Sequence, residues 1–363
     1  MREVTQREKQ VLQYVAENPM ISQQELADRL GITRSSAAVH VSNLMKKGYI
    51  AGKGYVLRTG AYAVVIGGVN VDIGGRSFSG LIPADSNPGK ITISPGGVGR
   101  NIAHNLSLLG IDVRLLTALG EDLYGRQIAS SCAEQGIDLS RALRIQGAAT
   151  STYLYIAGPE GDMALAVSDM EICKKITPVY LSQELSLINN ARVVVVDANI
   201  PQESLEYLSK HCTAPLFCDP VSTKKAEKLR PILHKLHTIK PNRLEAELLS
   251  GVAIHTELDL ENAATALLEK GVQRLFISLG KDGVLAADKT CRLKLSNLPG
   301  DMVNTTGCGD AFMAALVWAW IQNQDFHQTA LAGLAASAIA MESGLTINPA
   351  LNSDTLKARM KQH

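Results

Sequence analysis

The first fifty residues show the apolar spacing of short amphipathic helices. Val11, Leu12 and Val15 fall on one stripe of a first helix, because positions three and four apart share a helix face. Asn18-Pro19 should end that helix, since a proline disfavours helical backbone at the residue before it. The segment therefore predicts a small helical unit.

The following stretch, "ISQQELADRLGITRSSAAVH", predicts two helices joined by a tight turn. Ser22 followed by Glu25 fits a capping box. Gly31 suits the turn, and Thr33 suits the start of the second helix. After it, "YIAGKGYVL" predicts a hairpin of two short strands around Gly52-Lys53-Gly54. This order is that of a winged helix-turn-helix, which we assign to residues 1–58.

A second domain, residues 62–355, has a different pattern. Compact apolar runs rich in β-branched residues alternate with helical stretches, which predicts an α/β fold with a doubly wound, mostly parallel sheet flanked by helices. The predicted strands are "YAVVIGG", "ARVVVVDAN", "APLFCDP", "LHTIKPN" and "RLFISLG". Functional side chains are expected at the carboxyl ends of such strands.

Two stretches depart from this alternation. Residues 84–95 and 150–168 alternate apolar with polar positions and are interrupted by glycines, as in exposed antiparallel strands. We expect them to form a small β flap, or lid, over one end of the sheet. A lid indicates a site that must exclude water.

The charge of the chain is uneven along its length. The whole chain has a net charge of +1, but the first sixty residues hold nine basic against five acidic side chains. On the second helix of the motif, Arg34, Ser35, Ser36 and His40 stand at positions that need not be buried, with Lys46 and Lys47 near its end. Short polar side chains can read base edges and lysines can pair with phosphates, so we expect DNA binding. The alternative is a small appendage that dimerises or docks on its neighbour.

Neither a leader nor a membrane span is expected. The charged N-terminus lacks an apolar core, and the longest apolar stretch, "AFMAALVWAWI", is too short to cross a bilayer. We therefore expect a cytoplasmic protein. Because winged helices usually act as pairs and exposed lid strands can pair between subunits, we also expect a homodimer.

A glycine-rich loop precedes the long apolar helix at "NTTGCGDAFMAAL". Backbone N–H groups at such a helix start attract anions, so the amides of Gly307, Cys308 and Gly309 could stabilise a phosphoryl group. Asp310 could then accept the proton of an attacking hydroxyl. Alternatively, Asp310 only stabilises the first helical turn. The sequence has neither the P-loop motif nor a GxGxxG motif.

Further polar residues follow other predicted strands. Asn70 and Asp72 suit recognition of vicinal hydroxyls, or form a polar turn. Gly96, Gly97 and Asn101 open a helix where a ligand could approach the backbone, or form a plain glycine turn. Asn242 and Glu245, three residues apart, could hold Mg²⁺ and phosphates through waters, or simply cap a helix. The segment "SLGKDG" adds a glycine turn from Gly280 to Gly283.

Taken together, these motifs resemble the ribokinase-like carbohydrate kinases, often called the PfkB family. "GGVGRNIAHNLSLLG" is similar to the N-terminal signature of that family, and "NTTGCGDAFMAAL" is similar to its C-terminal signature, usually D-T-x-G-A-G-D. "KPN" with Glu245, and "SLGKDG", are similar to its nucleotide-side motifs. The resemblance covers about residues 62 to 350, and residues 5 to 57 resemble the winged helix-turn-helix domains of bacterial regulators.

This resemblance implies a role for each matching residue. Asp310 would be the general base, with Gly307, Cys308 and Gly309 as the anion hole. The residues assigned to the sugar hydroxyls are Asn70, Asp72, Gly96, Gly97 and Asn101. Those assigned to ATP and Mg²⁺ are Asn242, Glu245, Ser278, Gly280 and Gly283, with Glu245 acting on Mg²⁺ through water.

The chain departs from the family pattern at two positions. Asn304 replaces the usual Asp near the place where many members bind K⁺, for which Asn304 and Thr306 are the candidate ligands here. The missing charge argues against K⁺ activation. Cys308 replaces the usual Ala, which a backbone anion hole should tolerate.

Within the family, "GGVNVDI", "AVSDM" and "NTTG" are similar to segments of bacterial pseudouridine kinases. This similarity implies an ATP-dependent kinase that acts on the 5′ hydroxyl of a ribonucleoside such as pseudouridine. The alternatives are a kinase for another sugar or nucleoside, ribose-like or inosine-like, and a transcription regulator whose kinase-like domain senses such a ligand.

Overall fold

The N-terminal unit contains three helices around a small apolar core. The computed structural model describes residues 4–50 and 61–362. The helices are α1 (Gln6–Glu17), α2 (Gln23–Leu30) and α3 (Arg34–Lys46). The predicted caps are confirmed: Ser22 and Glu25 form a capping box, and Gly31 is left-handed with φ of 63°. The predicted wing hairpin around Gly52-Lys53-Gly54 lies outside the described residues.

The larger unit is built on an eight-stranded sheet. Its order is β14-β13-β12-β11-β10-β9-β1-β4, in which the pairs from β4 to β12 are parallel and the last two are antiparallel. This confirms the doubly wound, mostly parallel sheet. The strands are β1 (Tyr62–Ile66), β4 (Asp112–Leu116), β9 (Val193–Asp197), β10 (Leu216–Asp219), β11 (Thr238–Ile239), β12 (Arg274–Ser278), β13 (Val284–Asp288) and β14 (Arg292–Leu295).

Helices cover both faces of this sheet, because strands such as "VVVV" of β9 are apolar on both sides. One face carries α4 (Val98–Leu108), α12 (Cys308–Ile321), α13 (Phe326–Met341) and α14 (Ser353–Met360). The other helices of the unit are α5 (Leu123–Glu134), α6 (Pro178–Gln183), α7 (Leu185–Asn189), α8 (Gln202–His211), α9 (Thr223–Ala226), α10 (Arg243–Ser250) and α11 (Glu257–Glu269), with short 3-10 helices at Glu171–Lys175, Glu227–Lys235 and Gly280–Asp282. Two large apolar clusters result, one on each face.

Four strands form the lid, in the order β3-β2-β7-β8. They are β2 (Asn70–Ser77), β3 (Gly89–Gly96), β7 (Thr152–Ala157) and β8 (Met163–Asp169), and a separate pair is formed by β5 (Ala118–Gly120) and β6 (Leu143–Ile145). The two predicted lid segments therefore contain β3, β7 and β8, whereas residues 84–88, 150–151 and 158–162 are not in strands. The sequence analysis did not predict β2 as a strand; it gave Asn70 and Asp72 a role in recognising vicinal hydroxyls, with a polar turn as the alternative.

The two faces of the lid differ in polarity, because successive residues of a strand point to opposite sides. Asp72 pairs in register with Ser94 and Tyr153 on one face. Ile73 pairs with Ile93 and Leu154 on the other. The apolar outer face lines a groove of about 810 Å³. The lid thus turns Asp72 and its polar neighbours away from this groove.

Candidate functional site

The glycine loop before α12 has a backbone that only glycine adopts readily. Gly307 has φ of 84°, and a Cβ there would lie 2.2 Å from the carbonyl oxygen of Thr346. Gly307 is the N-cap of α12, without a side-chain cap. Since α12 is apolar on nearly all sides and buried, the helix start is held rigidly in the fold.

The first turn of α12 offers amide groups to a ligand. In an α-helix the first N–H groups have no intrahelical partner. The N–H of Cys308 turns back toward the carbonyl oxygen of Thr305 at 3.4 Å, so the donors that face outward are those that follow it. Gly309 also allows Lys240 to pack close to the loop, because a Cβ on Gly309 would stand 3.3 Å from Nζ of Lys240.

Asp310 lies in this turn among other ionisable groups. Nδ2 of Asn101 donates a hydrogen bond to Oδ2 of Asp310 at 2.8 Å. Removal from water and the nearby carboxylate of Asp219 raise the pKa of Asp310 to about 8, against the opposing effects of Asn101 and Lys240. A carboxylate with a pKa in this range can accept a proton near neutral pH. The geometry therefore suits a general base.

Lys240 and Asp219 were not selected from the sequence. Lys240 follows β11 and Asp219 ends β10; both are buried, and Nζ of Lys240 lies 3.3 Å from Oδ2 of Asp219. Burial disfavours the cation, but Asp219, Glu245 and Asp310 outweigh this and raise the pKa of Lys240. A charged residue directly after a buried strand was the signal that could have identified them.

Asp197, at the end of β9, was also missed. It is fully buried and accepts hydrogen bonds from the backbone N–H groups of Gly68 at 2.8 Å and Asn199 at 2.9 Å. Burial raises its pKa to about 6. A Cβ on Gly67 would stand 2.3 Å from Oδ2 of Asp197. This carboxylate therefore fixes the chain where β1 leads into the lid.

The residues expected to bind a sugar meet where the lid joins α4. Nδ2 of Asn70 donates to Oδ1 of Asp72 at 2.5 Å, and a Cβ on Gly96 would lie 2.1 Å from Oδ2 of Asp72. Burial raises the pKa of Asp72, although the Asn70 hydrogen bond lowers it. Gly97 has φ of 96° and directly precedes α4. Asn101, one helical turn after Gly97, connects these residues to Asp310 through its hydrogen bond to that carboxylate.

The residues expected on the nucleotide side also lie together. Asn242 forms a β-bridge with Ser278. Asn242 and Glu245 form a reciprocal capping box at the start of α10, with both hydrogen bonds at 2.9 Å. Glu245 is 4 % exposed, and burial raises the pKa of its carboxyl group. Both residues thus have a structural role, whatever else they bind.

The glycine turn that follows β12 is close by. Gly280 has φ of 61° and open space around it, whereas a Cβ on Gly283, with φ of 88°, would lie 2.0 Å from the carbonyl oxygen of Leu295. Gly283 is therefore required by close packing. Gly280 leaves room for a ligand next to Ser278.

The structure gives Asn304 a purpose that the sequence did not. Its Oδ1 accepts the backbone N–H of Thr306 at 3.0 Å, and its own N–H donates to the carbonyl oxygen of Met341 at 3.1 Å. This turn shapes the loop that leads into Gly307. The Sγ of Cys308 faces the carbonyl oxygen of Asn304 at 3.9 Å, and burial raises the pKa of this thiol to about 11.

The predicted DNA-reading residues lie on α3. Arg34, Ser35 and Ser36 are exposed and His40 is partly exposed. The hydroxyl groups of Ser35 and Ser36 both lie within 3.0 Å of the Thr33 hydroxyl, so they cluster at the helix start. Lys47 differs from our expectation of a phosphate contact, because it forms an ion pair at 2.7 Å with the buried carboxylate of Glu8.

Comparison with known proteins agrees with this two-part organisation. Residues 61–353 match the pfkB family carbohydrate kinases, and residues 5–51 match the winged helix-turn-helix DNA-binding family. The uncharacterized sugar kinase YeiI of Escherichia coli is 40% identical over 96% of this chain and 97% of its own length. The pseudouridine kinase of Escherichia coli is also 40% identical, over 82% of this chain and 95% of its own length.

A solved structure shares the fold. The crystal structure of a putative sugar kinase from Clostridium perfringens superposes with a TM-score of 0.74 and 31% sequence identity, over 84% of this chain and 96% of that one. Its ribokinase-like fold confirms the fold class inferred from the sequence. Within residues 4–50 and 61–362, no helix has the length and apolar character needed to cross a bilayer.

The raised pKa of Asp310 predicts that Asp310→Asn stabilises the kinase domain at high pH. Between about pH 4 and pH 8 the folded chain holds a proton that the unfolded chain has lost, so the stability of the parent falls as pH rises through this window. Asparagine does not titrate, so the stability of the variant does not fall in this way as the pH rises. We expect its melting temperature to exceed that of the parent by about 2–5 °C at pH 8 and by little at pH 5.

Tryptophan fluorescence can measure this difference, because both tryptophans of the chain, Trp318 and Trp320, lie in α12. Asp301→Asn, at an exposed position, controls for the change in net charge. A difference between Asp310→Asn and the parent that does not vary with pH would contradict the assigned titration.

Proposed function

The chain belongs to the pfkB family of carbohydrate kinases, and we propose that it transfers a phosphoryl group from ATP to the 5′ hydroxyl of a ribonucleoside. Pseudouridine or a close relative is the proposed substrate. The observation that carries the proposal is the pair formed by Asp310 and Asn101 beside the glycine loop. The 40% identity to a pseudouridine kinase over 95% of that protein supports the choice of nucleoside.

In the proposed reaction Asp310 accepts the proton of the attacking primary hydroxyl. Its raised pKa makes the carboxylate a stronger base than an ordinary aspartate, while the hydrogen bond from Asn101 keeps it oriented. Proton removal of this kind typically contributes about 10²- to 10⁴-fold to the rate.

The start of α12 stabilises the charge on the phosphoryl group in transfer. The outward N–H groups of the loop and the positive end of the helix dipole are fixed by the fold, so no reorganisation is needed during the reaction. The ammonium group of Lys240 lies under Gly309 and adds a positive charge to this position.

Asp72, Asn70 and Asn101 bind the ribose hydroxyls in this proposal. A carboxylate and two amides can hold a diol through directed hydrogen bonds. Because Asp72 belongs to β2, closure of the lid would carry this contact onto the sugar and exclude water from the phosphoryl group.

MgATP occupies the side formed by Asn242, Glu245, Ser278 and Gly280. Kinases of the family generally use ATP and Mg²⁺, and the residues present fit this ion. Mg²⁺ keeps several waters and takes one or two carboxylates with the phosphates, and the buried carboxylate of Glu245 stands there. The ion would neutralise phosphate charge and align the donor. K⁺ forms no part of the proposal.

A substrate panel with Asp310→Asn tests the reaction. We expect ADP release with pseudouridine to exceed that with ribose, and the variant to lose about 10²- to 10⁴-fold or more in kcat. Cys308→Ala is the matched control in the same loop, because the backbone N–H groups are retained, and its activity should stay within a few-fold of the parent.

Each outcome of this panel identifies a different error. Equal turnover by Asp310→Asn and the parent would remove Asp310 as the base. Turnover with ribose or inosine but not with pseudouridine would show that the proposed substrate is wrong. Ligand-dependent DNA binding without turnover on any nucleoside or sugar would favour a sensor.

We further propose that the N-terminal winged helix-turn-helix domain binds DNA through α3. Arg34, Ser35 and Ser36 form the exposed start of that helix, where recognition helices contact base edges. The similarity to YeiI covers 96% of this chain, so it includes most of the N-terminal domain as well as the kinase domain. The N-terminal basic excess suits phosphate contacts.

The salt dependence of binding tests this proposal. We expect Arg34→Ala to weaken binding to a random-sequence duplex and to reduce the slope of log K against log salt by about 1. Lys289→Ala removes the same charge from an exposed position of the kinase domain and should leave the slope unchanged. No binding by the parent at low salt would count against the domain's role.

A second copy of the chain is the proposed occupant of the lid's outer face. Ile91 is 72 % exposed, and Ile93, Leu165 and Val167 on the same face of the lid are also exposed, which is an unusual amount of apolar surface on one face for a monomer. Two such faces packed together would bury these side chains and pair two winged helices for a two-fold DNA site.

Sedimentation tests the dimer. We expect the parent to sediment as a dimer and Ile91→Asp as a monomer, because a buried charge opposes the contact. Leu258→Asp, at an exposed position on α11, should remain dimeric. A monomeric parent would exclude this interface.

A further inference from the structure

Arg100 is a buried cation in the first turn of α4, next to Asn101. It is 6 % exposed. Its guanidinium donates to the carbonyl oxygen of Pro95 at 3.2 Å, to Oδ1 of Asn101 at 3.4 Å and to Oγ of Ser131 at 3.2 Å. Its Nε is one of three buried side-chain nitrogen or oxygen atoms that lack a hydrogen-bond partner in the described part of the chain.

No carboxylate neutralises Arg100 at close range. Across residues 4–50 and 61–362, its guanidinium has no ion pair within 4.0 Å. Burial lowers the pKa of Arg100, and the nearby Cys132 thiol and the Asp72 carboxylate offset only part of this effect. Burial is costly for a cation that no close carboxylate neutralises, even when it is hydrogen-bonded. A side chain placed at such a cost is not explained by fold stability, so its contacts indicate a role in the site.

The contact with Asn101 decides which end of that amide faces Asp310. A guanidinium has only donors, so Arg100 requires the oxygen of the amide, Oδ1, on its side. The NH₂ group is then directed at Asp310, where it donates at 2.8 Å. With the amide rotated by 180°, Oδ1 would face the carboxylate and the hydrogen bond would be lost.

We propose that Arg100 is a positioning residue that holds the Asn101 amide in the orientation that donates to Asp310. Pro95 lies at the end of lid strand β3 and Ser131 on α5, so Arg100 also ties this orientation to the base of the lid. The inference rests on the proposed function in one respect, the use of Asp310 as the base.

Loss of Arg100 should shift a titration in a defined direction. The Asn101 hydrogen bond lowers the pKa of Asp310, so a freed amide leaves that pKa higher. The acidic limb of the kcat profile then moves to higher pH, because only the ionised base is active. We expect Arg100→Met to shift it by about half a unit or more, a threefold larger loss at low pH than at high pH.

Other ionisable groups face these residues and must be separated from the effect. Asp219, Lys240, Asp197 and Cys308 act with Asp310 and are unchanged in the variant. His104 beside Arg100 has its pKa lowered to about 4, and burial raises that of the Cys132 thiol. Both groups are therefore neutral near pH 7.

Asp72 is the remaining ionisable group to be separated from the effect, because the charge of Arg100 lowers the pKa of Asp72 and the variant should therefore change its titration. In our proposal Asp72 binds the sugar hydroxyls, so its titration belongs to KM, whereas that of Asp310 appears in kcat at saturating substrate. The kcat profile therefore isolates the base.

A direct titration makes the test independent of turnover. In the full chain, ¹³C-carboxyl NMR of labelled aspartates reports the pKa of Asp310, with Asp310→Asn identifying the signal. We expect Arg100→Met to raise this pKa, Asn101→Ala to raise it further, and the double variant to match Asn101→Ala, because Arg100 acts through that amide. If no substrate is phosphorylated, the proposed function fails while this result still stands.

The matched control is Ser131→Ala, which removes a contact of Arg100 but leaves the Asn101 side intact, and it should not move the titration. If Arg100→Met does not fold, Arg100→Lys keeps the charge and should shift the pKa in the same direction by less. An unchanged Asp310 titration in the Arg100 variant, with kcat lowered equally at all pH values, would overturn the proposal.

Discussion

The hydrogen bond from Asn101 to Asp310 is the interaction on which the candidate site depends. It joins the first turns of α4 and α12, which are 209 residues apart in the chain. On one side of it stand Asp72 and Gly97, which suit a sugar, and on the other the glycine loop, which suits a phosphoryl group. Transfer of a phosphoryl group to a sugar requires the two ligands to lie side by side, and therefore requires α4 and α12 to begin next to each other.

The electrostatics of this place follow from the topology of the sheet. Parallel strands end at one edge, so Asp197 and Asp219 come into register there, with Lys240 after the next strand. One buried ammonium beside several carboxylates cannot keep all of them ionised without cost. Burial, together with the carboxylates of Asp219 and Asp197, raises the pKa of Asp310, which makes this carboxylate basic at the expense of stability.

Some of the site was predictable because its residues act through local backbone geometry. Gly307 precedes an apolar helix and Asn242 precedes Glu245 by three residues, and both signals are readable within a few positions. Lys240 was not found, although its place directly after a buried strand was a usable signal. Arg100 was not found because an isolated cation within a motif gives no local sign of what surrounds it. Lys47 was assigned to DNA because the sequence shows its charge but not Glu8, its partner 39 residues away.

The sequence by itself determined the alternation of strands and helices in the larger unit, the helix-turn-helix order at the N-terminus and the family motifs, because these depend on apolar periodicity and on short-range turn chemistry. Only the tertiary structure decided that Asn70 begins a lid strand, that Asn304 shapes the glycine loop, and that Asn101 meets Asp310. These contacts join residues brought together by the sheet and by packed helices. Their pKa values and orientations follow from burial and neighbouring charge, which the linear order of residues does not contain.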